Sequence, residues 1–212
     1  MRALLPALVA AVLLTPGPAG AGEVVGRITL GVEGTSLADI GPVAVFLEGE
    51  AGAAAPRVPS RSYTIRQHNA RFVPDFLVVA AGQGVKMPND DTIFHNVFSF
   101  SRRNEFDLGV YPAGESRTVT VAHPGLVKLY CSIHESMSGA VLVVPSPWYA
   151  TTSASGDYHI AGVPAGRYRL TVWNEKLPPA TRTVQVEVDG TLRADVALGV
   201  APPRRSSAPP SR

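Results

Sequence analysis

Three side chains that can bind a metal ion lie close together in this sequence: Cys131, His134 and Met137. Their spacing, Cys-x2-His-x2-Met, puts a thiolate, an imidazole and a thioether in one short loop. One thiolate, two imidazoles and a weak axial thioether form the trigonal set that a copper electron-transfer site prefers. The loop supplies three of these four groups, so a second imidazole has to come from another part of the chain.

The residues on either side of this loop alternate in the way that β-strands do. Before the loop, Val127, Leu129 and Cys131 alternate with more polar neighbours, which predicts a half-buried strand that points the thiol inward at its end. After the loop, the apolar alternation over 140–144 predicts a returning strand. The loop therefore joins two strand ends.

The best candidate for the second imidazole is His95. It follows a polar loop, 89–92, and begins an alternating run that ends near Ser101. Such alternation predicts a strand, and Asn96 comes directly after the imidazole. We expect a strand that starts at the metal site and leads away from it.

A His-Asn-Val strand start followed later by Cys-x2-His-x2-Met resembles the cupredoxins, most closely the plastocyanin and amicyanin group. The resemblance implies a Greek-key β-sandwich with one copper ion. It implies that His95, Cys131 and His134 are the equatorial ligands and that Met137 is the axial ligand. It also implies that Asn96 ties the strand of the first histidine to the cysteine loop.

The loop departs from the family pattern at two positions. Family members often carry Asn after the cysteine and an aromatic residue before the methionine, where this chain has Ser132 and Ser136. Hydrogen bonds around a coordinating sulfur tune a metal site. We therefore expect Ser132 to be an altered contact beside the copper.

Other kinds of site use the same residue types. Structural zinc sites combine thiolates and imidazoles without a thioether, and a thiolate beside His134 could also be a nucleophile with its base. An oxidase or nitrite reductase would need a second metal, for which only His68, His123 and His159 remain, each isolated in the sequence. A single copper site in a protein that is not an enzyme is the favoured prediction.

The composition indicates many short strands joined by turns. Of 212 residues, 45% are hydrophobic and 17% are charged, with 20 glycines and 19 prolines, a mixture typical of all-β proteins. A formal charge of +2 argues against a nucleic-acid partner. The single cysteine cannot form an internal disulfide, which agrees with a role as a ligand.

The N-terminus has the features of a secretory signal peptide. Arg2 precedes a short apolar run, and Ala19, Gly20 and Ala21 form a small-residue ending, so cleavage is expected after Ala21. The apolar run is short for a membrane span. We expect a periplasmic or secreted mature chain without a membrane span.

A second domain is indicated by the C-terminal part of the chain. Residues 155–158 and 162–168 resemble the second half of a carboxypeptidase regulatory-like domain, a small transthyretin-like sandwich that normally begins with two more strands. Alternating runs around Ile28 and Val43 look like those missing strands. A strong Asp-Gly hairpin signal at Asp189 follows in the C-terminal part.

These patterns predict an all-β chain in which the copper domain is inserted into the other sandwich. The whole layout resembles bacterial proteins described as methylamine-utilisation or plastocyanin-like. The expected segments are a signal peptide (1–21), the first regulatory-like strands with a linker (22–59), the copper domain (60–147), the rest of the regulatory-like sandwich (148–198) and a disordered tail (199–212).

Three functions agree with these features. The leading prediction is a one-electron carrier, ahead of a copper-holding or copper-delivering protein and of a non-redox interaction module such as a carbohydrate-binding one. A carrier needs a partner, and a loop histidine is easier to reach than one that leads into a strand. We expect electrons to pass through His134, with Ile133, Pro88 and Phe94 forming a small apolar patch for a redox protein.

Overall fold

The computed structural model describes residues 20–49 and 61–199 of the chain. The expected signal peptide, linker and tail lie outside these ranges, apart from Gly20, Ala21, Gly49 and Gly199. The described residues form eighteen strands and one four-residue helix. The strands are β1 (Ala21–Leu30), β2 (Ala44–Gly49), β3 (Tyr63–Thr64), β4 (Arg66–Gln67), β5 (Phe72–Val73), β6 (Phe76–Ala80), β7 (Gln83–Pro88), β8 (His95–Ser99), β9 (Phe106–Tyr111), β10 (Ser116–Val121), β11 (Gly125–Tyr130), β12 (Ser138–Val144), β13 (Tyr149–Thr151), β14 (Asp157–Pro164), β15 (Gly166–Trp173), β16 (Ala180–Val186), β17 (Thr191–Arg193) and β18 (Val196–Leu198), and the helix is α1 (Leu37–Ile40).

One sandwich is built from strands at both ends of the chain. In one sheet, β1 pairs with β14, β17 and β18, and the other sheet has the order β13-β2-β15-β16. Alternate side chains from both sheets form an apolar core that includes Val24, Ile28, Leu47 and Leu170. This is the pairing that an inserted middle domain requires, because the strands around Ile28 and Val43 meet the C-terminal segment.

The second sandwich is built from the middle of the chain. Its five-stranded sheet has the order β6-β12-β11-β8-β9, and its three-stranded sheet has the order β10-β7-β3, with a small β4-β5 pair beside them. The core between the sheets includes Val97, Leu129, Cys131 and Met137. The predicted fold class, all-β with two sandwiches, is confirmed.

A smaller apolar cluster joins the two sandwiches. Phe76 of β6 stacks on Trp173 of β15 with ring centroids 6.1 Å apart, and the Tyr63 and Tyr149 hydroxyl groups share a hydrogen bond of 2.7 Å. The residues buried in this cluster come from β2, β6 and β12, and they are Ala44, Val78, Leu142 and Val144. The middle sandwich therefore packs against the other sandwich with an apolar contact.

The predicted hairpin at Asp189 is wrong. A turn does form there, since the Gly190 N–H donates to the Glu187 carbonyl at 3.2 Å, but β17 pairs in parallel with β1, with Leu192 opposite Val24. The turn carries the chain from one sheet to the other. The Asp-Gly signal specifies the local reversal, whereas the edge of β1 that remains available decides which sheet receives the strand.

Among the described residues, no helix has both the length and the apolar character that a membrane span needs.

Candidate metal centre

Two neighbouring strand ends bring the predicted ligands together. His95 is the first residue of β8, and Cys131 follows directly after β11. Tyr130 of β11 lies opposite Phe98 of β8, so the two strands run side by side. The loop between β11 and β12 carries His134 to the same end, and a hydrogen bond of 2.9 Å from the Met137 N–H to the His134 carbonyl closes this loop.

Three ligand atoms converge at this end of the sandwich. The Nδ1 atoms of His95 and His134 are 3.1 Å apart, and the Cys131 Sγ lies 3.9 Å from the first and 3.8 Å from the second. A point equidistant from the three atoms lies about 2.1 Å from each, close to the roughly 2.0–2.3 Å that histidine nitrogens and thiolates keep from a bound metal ion. The donor set therefore fits a single metal ion.

Burial differs sharply among the four predicted ligands. His95 has no exposed surface, Met137 is 1% exposed and Cys131 is 5% exposed, whereas His134 is half-buried. Cys131 and Met137 belong to the same core cluster. The site is thus closed on the side of His95 and reaches the surface at His134, as the sequence predicted for these two histidines.

Asn96 links the strand of His95 to the cysteine loop. Its Oδ1 atom accepts hydrogen bonds from the Ser132 backbone N–H at 2.7 Å and from the Ser132 hydroxyl group at 2.9 Å. Asn96 is buried, so this contact fixes the residue after Cys131 in one position. Ser132, at the position where cupredoxins often have asparagine, thus donates a second hydrogen bond, from its hydroxyl group, to the Asn96 Oδ1 atom.

A carboxylate that the sequence motifs did not assign to the site contacts His95. Asp91 Oδ2 lies 2.8 Å from the His95 Nε2 atom. Burial raises the pKa of Asp91, but hydrogen bonds from the Ala70 N–H, His95 and the Asn69 N–H outweigh burial and lower this pKa overall. In the sequence, Asp91 stands out only as part of the polar loop that precedes His95. The available signal was a carboxylate just before a candidate ligand, since ligating histidines commonly bind a carboxylate through their other nitrogen.

Among the described residues, the other three histidines do not join this ligand group. His159 contacts Glu23 Oε2 at 2.7 Å, His123 contacts Arg103 at 3.2 Å, and His68 is exposed. Within residues 20–49 and 61–199, His95, Cys131 and His134 are the one group of three such residues that could hold a metal ion.

The surface around the half-buried histidine carries exposed apolar side chains. Ile133 is 46% exposed and Phe94 is 58% exposed, and both are next to a predicted ligand in the sequence. Pro88, the third residue predicted for this patch, is half-buried at the end of β7.

A family of known domains matches the C-terminal part of the chain. The family model described as "Carboxypeptidase regulatory-like domain" matches residues 132–199. The C-terminal sandwich is carboxypeptidase regulatory-like. The match begins at residue 132, inside the loop of the candidate ligands. The structure nevertheless places β12 in the middle sandwich, where it pairs with β6 and β11. The first part of the matched range therefore belongs to the inserted sandwich.

Solved structures similar to this chain include cupredoxins. A purple cupredoxin from Nitrosopumilus maritimus is 24% identical over 39% of this chain and 100% of its own, with a TM-score of 0.36. A reduced amicyanin mutant is 21% identical over 47% of this chain and 99% of its own, with a TM-score of 0.36. A copper-containing nitrite reductase from Thermus scotoductus SA-01 is 22% identical over 46% of this chain and 25% of its own, with a TM-score of 0.38. No curated protein matches the sequence.

Proposed function

We propose that this chain is an exported mononuclear type 1 copper protein that carries single electrons. The observation that carries the proposal is the convergence of two imidazole nitrogens and one thiolate at 3.1–3.9 Å from one another in a largely buried site. In this proposal, His95, Cys131 and His134 are equatorial ligands, Met137 is the axial ligand, and the bound copper supplies the Cu(I)/Cu(II) couple.

The protein framework restricts movement of these ligands. His95 belongs to a paired strand, and Cys131 directly follows another. Asn96 holds the backbone after Cys131 through Ser132. Ligands that keep their positions in both oxidation states lower the reorganisation energy of electron transfer. This favours fast electron exchange over metal release.

Electrons would enter and leave through His134. It is the half-buried member of the ligand set, so its ring offers a shorter path to a docked partner than that of His95, which has no exposed surface. Exposed Ile133 and half-buried Pro88 would form the apolar surface for this partner. A small patch suits the brief encounters of redox proteins, which bury less area than stable complexes do.

The burial of the ligands also argues against copper delivery as the main function. A protein that hands copper to an acceptor must let the acceptor's ligands reach the metal, and Cys131, His95 and Met137 are at most 5% exposed. The proposed location is the periplasm or the exterior, after cleavage near Ala21. The proposed domain order is the copper domain inserted into the regulatory-like sandwich.

The copper site is tested by absorption spectroscopy of the purified exported protein during titration with Cu(II). We expect one equivalent to bind and to give an intense visible band, because thiolate electron density overlaps the half-filled copper orbital. Cys131→Ser should abolish this band. Failure of the unaltered protein to develop the band, or its survival in Cys131→Ser, would contradict the proposal.

The axial role of the thioether is tested with two methionine variants. Met137→Leu should keep the band and shift the reduction potential, because an axial thioether bond is long and weak. Met87→Leu is the matched control, since Met87 is also fully buried in the same core but is not one of the proposed ligands. Equal shifts in both variants would indicate a packing effect and not ligation.

The carrier and delivery functions are separated by two rates. Ile133→Glu should leave the spectrum unchanged and slow electron exchange with an external redox protein, because it places a charge beside His134. Transfer of Cu(I) to an acceptor protein should be slow. Rapid copper transfer, together with electron exchange that Ile133→Glu does not alter, would favour delivery.

A further inference from the structure

The buried histidine of the metal centre makes a second polar contact on its outer side. The His95 Nε2 atom lies 2.8 Å from Asp91 Oδ2, and its Nδ1 atom faces Cys131 and His134. A carboxylate is an acceptor, so the Nε2–H group donates to it. The contact therefore selects the tautomer in which Nδ1 has a free lone pair directed at the metal position.

Asp91 is itself held in place by backbone groups. The Asn69 N–H donates to Oδ1 at 2.5 Å, and the Ala70 N–H donates to Oδ2 at 2.9 Å. Asn69 and Ala70 have positive φ angles of 54° and 49°, a backbone conformation that residues other than glycine rarely adopt. The Asp91 side chain is only 10% exposed, so the β4–β5 turn presents two consecutive N–H groups to one nearly buried carboxylate.

We propose that Asp91 is a positioning residue that fixes the His95 ring and lowers the reduction potential of the copper centre. This inference rests on the proposed copper function. A hydrogen bond from Nε2–H to a carboxylate makes the imidazole a stronger electron donor through Nδ1. A stronger donor stabilises Cu(II) more than Cu(I), and weak exposure to water keeps the effect from being screened. The potential is therefore lower than that of the same ligand set without the carboxylate.

The neighbouring residue provides a matched control. Asp90 has the same charge and stands one position earlier, but its Oδ2 atom accepts from Arg66 Nη1 at 2.6 Å, and its side chain is 34% exposed. Removing either charge changes the net charge of the domain equally. Only Asp91 contacts a proposed ligand.

The test compares the reduction potentials of the unaltered protein, Asp91→Asn and Asp90→Asn after copper loading. We expect Asp91→Asn to weaken Cu(II) binding about tenfold relative to Cu(I) binding, which corresponds to a rise of about 59 mV for a one-electron couple. Asp90→Asn should leave the potential close to that of the unaltered protein, and Asp91→Glu, which keeps the carboxylate, should recover most of the difference. An unchanged potential in Asp91→Asn, or an equal rise in both asparagine variants, would overturn the inference.

A measurement on the unaltered, metal-free protein keeps the inference testable if Asp91→Asn does not fold or load. Nitrogen-15 NMR should show a His95 Nε2–H proton that exchanges slowly and is shifted downfield by its carboxylate acceptor. A fast-exchanging proton, or protonation at Nδ1 alone, would overturn the inference. If the unaltered protein binds no copper, the proposed function is wrong. If the unaltered protein binds copper and is coloured, but Asp91→Asn has the same reduction potential, only the inference about Asp91 is wrong.

Discussion

The two sandwiches of this chain share an architecture but differ in what their cores contain. The split sandwich has a hydrophobic core of aliphatic and tyrosine side chains, including Leu47 and Leu170, and its buried Asn174 donates to backbone carbonyls. The inserted sandwich has a similar core, yet Cys131 and Met137 belong to it and His95 is buried beside it. Among the described residues, the proposed ligand atoms therefore lie at one end of one sandwich.

In this chain, the candidate metal ligands lie where two strand ends and one loop place polar groups against the core. Paired β-strands satisfy their backbone hydrogen bonds in both domains, so the fold alone does not distinguish the two. The inserted domain adds one loop with three donor side chains and two polar partners, the buried Asn96 and the nearly buried Asp91. If the two sandwiches are independent of each other, a substitution in one should not change the properties of the other.

Truncating one leucine in each core should separate stability from the metal site. Leu47 and Leu129 are both fully buried, one in each sandwich, so Leu47→Ala and Leu129→Ala should each lower the free energy of unfolding by about 2–5 kcal/mol. Only Leu129→Ala should change the visible band, because Leu129 lies in the same core cluster as Cys131 and Met137. Denaturant unfolding and absorption spectra measure both effects. An equal spectral change in Leu47→Ala would show that the two cores are coupled.

A glycine at the junction of the two chain segments should tolerate no side chain. Gly156 has a φ angle of 86°, and a Cβ atom there would lie 2.3 Å from the Ile28 carbonyl oxygen. Gly156→Ala should therefore cost about 3 kcal/mol, more than the roughly 1 kcal/mol of left-handed strain alone. Gly34→Ala is the control, since Gly34 has a φ angle of 72° and open space around it. Equal unfolding free energies for the two variants would show that the close approach does not matter.

Two asparagines that tie loops together should differ in their effect on the copper site. Asn96 binds Ser132, and Asn104 donates to the His123 carbonyl at 2.8 Å and accepts from the His123 N–H at 3.2 Å. Asn96→Ala and Asn104→Ala should each cost about 1–2 kcal/mol. The reduction potential of the proposed copper site should change only in Asn96→Ala, because Asn96 binds the residue that follows the proposed ligand Cys131. A potential shift in Asn104→Ala of the same size would argue against a specific role for Asn96.

An ion pair between the two sandwiches should contribute little. Lys128 Nζ contacts Glu175 Oε1, and the two side chains are 37% and 48% exposed. A double-mutant cycle with Lys128→Gln and Glu175→Gln should give a coupling energy below about 1 kcal/mol that falls with added salt. A larger coupling that does not respond to salt would mean that charge, in addition to the apolar contact of Phe76 with Trp173, joins the domains.

The local order of residues is sufficient to predict the alternation of the strands and the order of the candidate ligands. Strand β11 contains Val127 and Leu129, β12 covers 140–144, and β8 starts at His95 itself. These features are local, because a side-chain period of two and the spacing within a seven-residue loop depend only on neighbouring residues. The composition was likewise sufficient to predict an all-β chain.

Which distant groups meet depends on how the whole chain packs. The Asp189 turn joins two sheets and not two strands of one hairpin, because a turn sets a reversal while an available sheet edge selects the partner. Asp91 contacts His95 because backbone N–H groups of Asn69 and Ala70, more than twenty residues earlier in the chain, hold its carboxylate. Such contacts depend on how separate segments pack, and neither periodicity nor a motif records that packing.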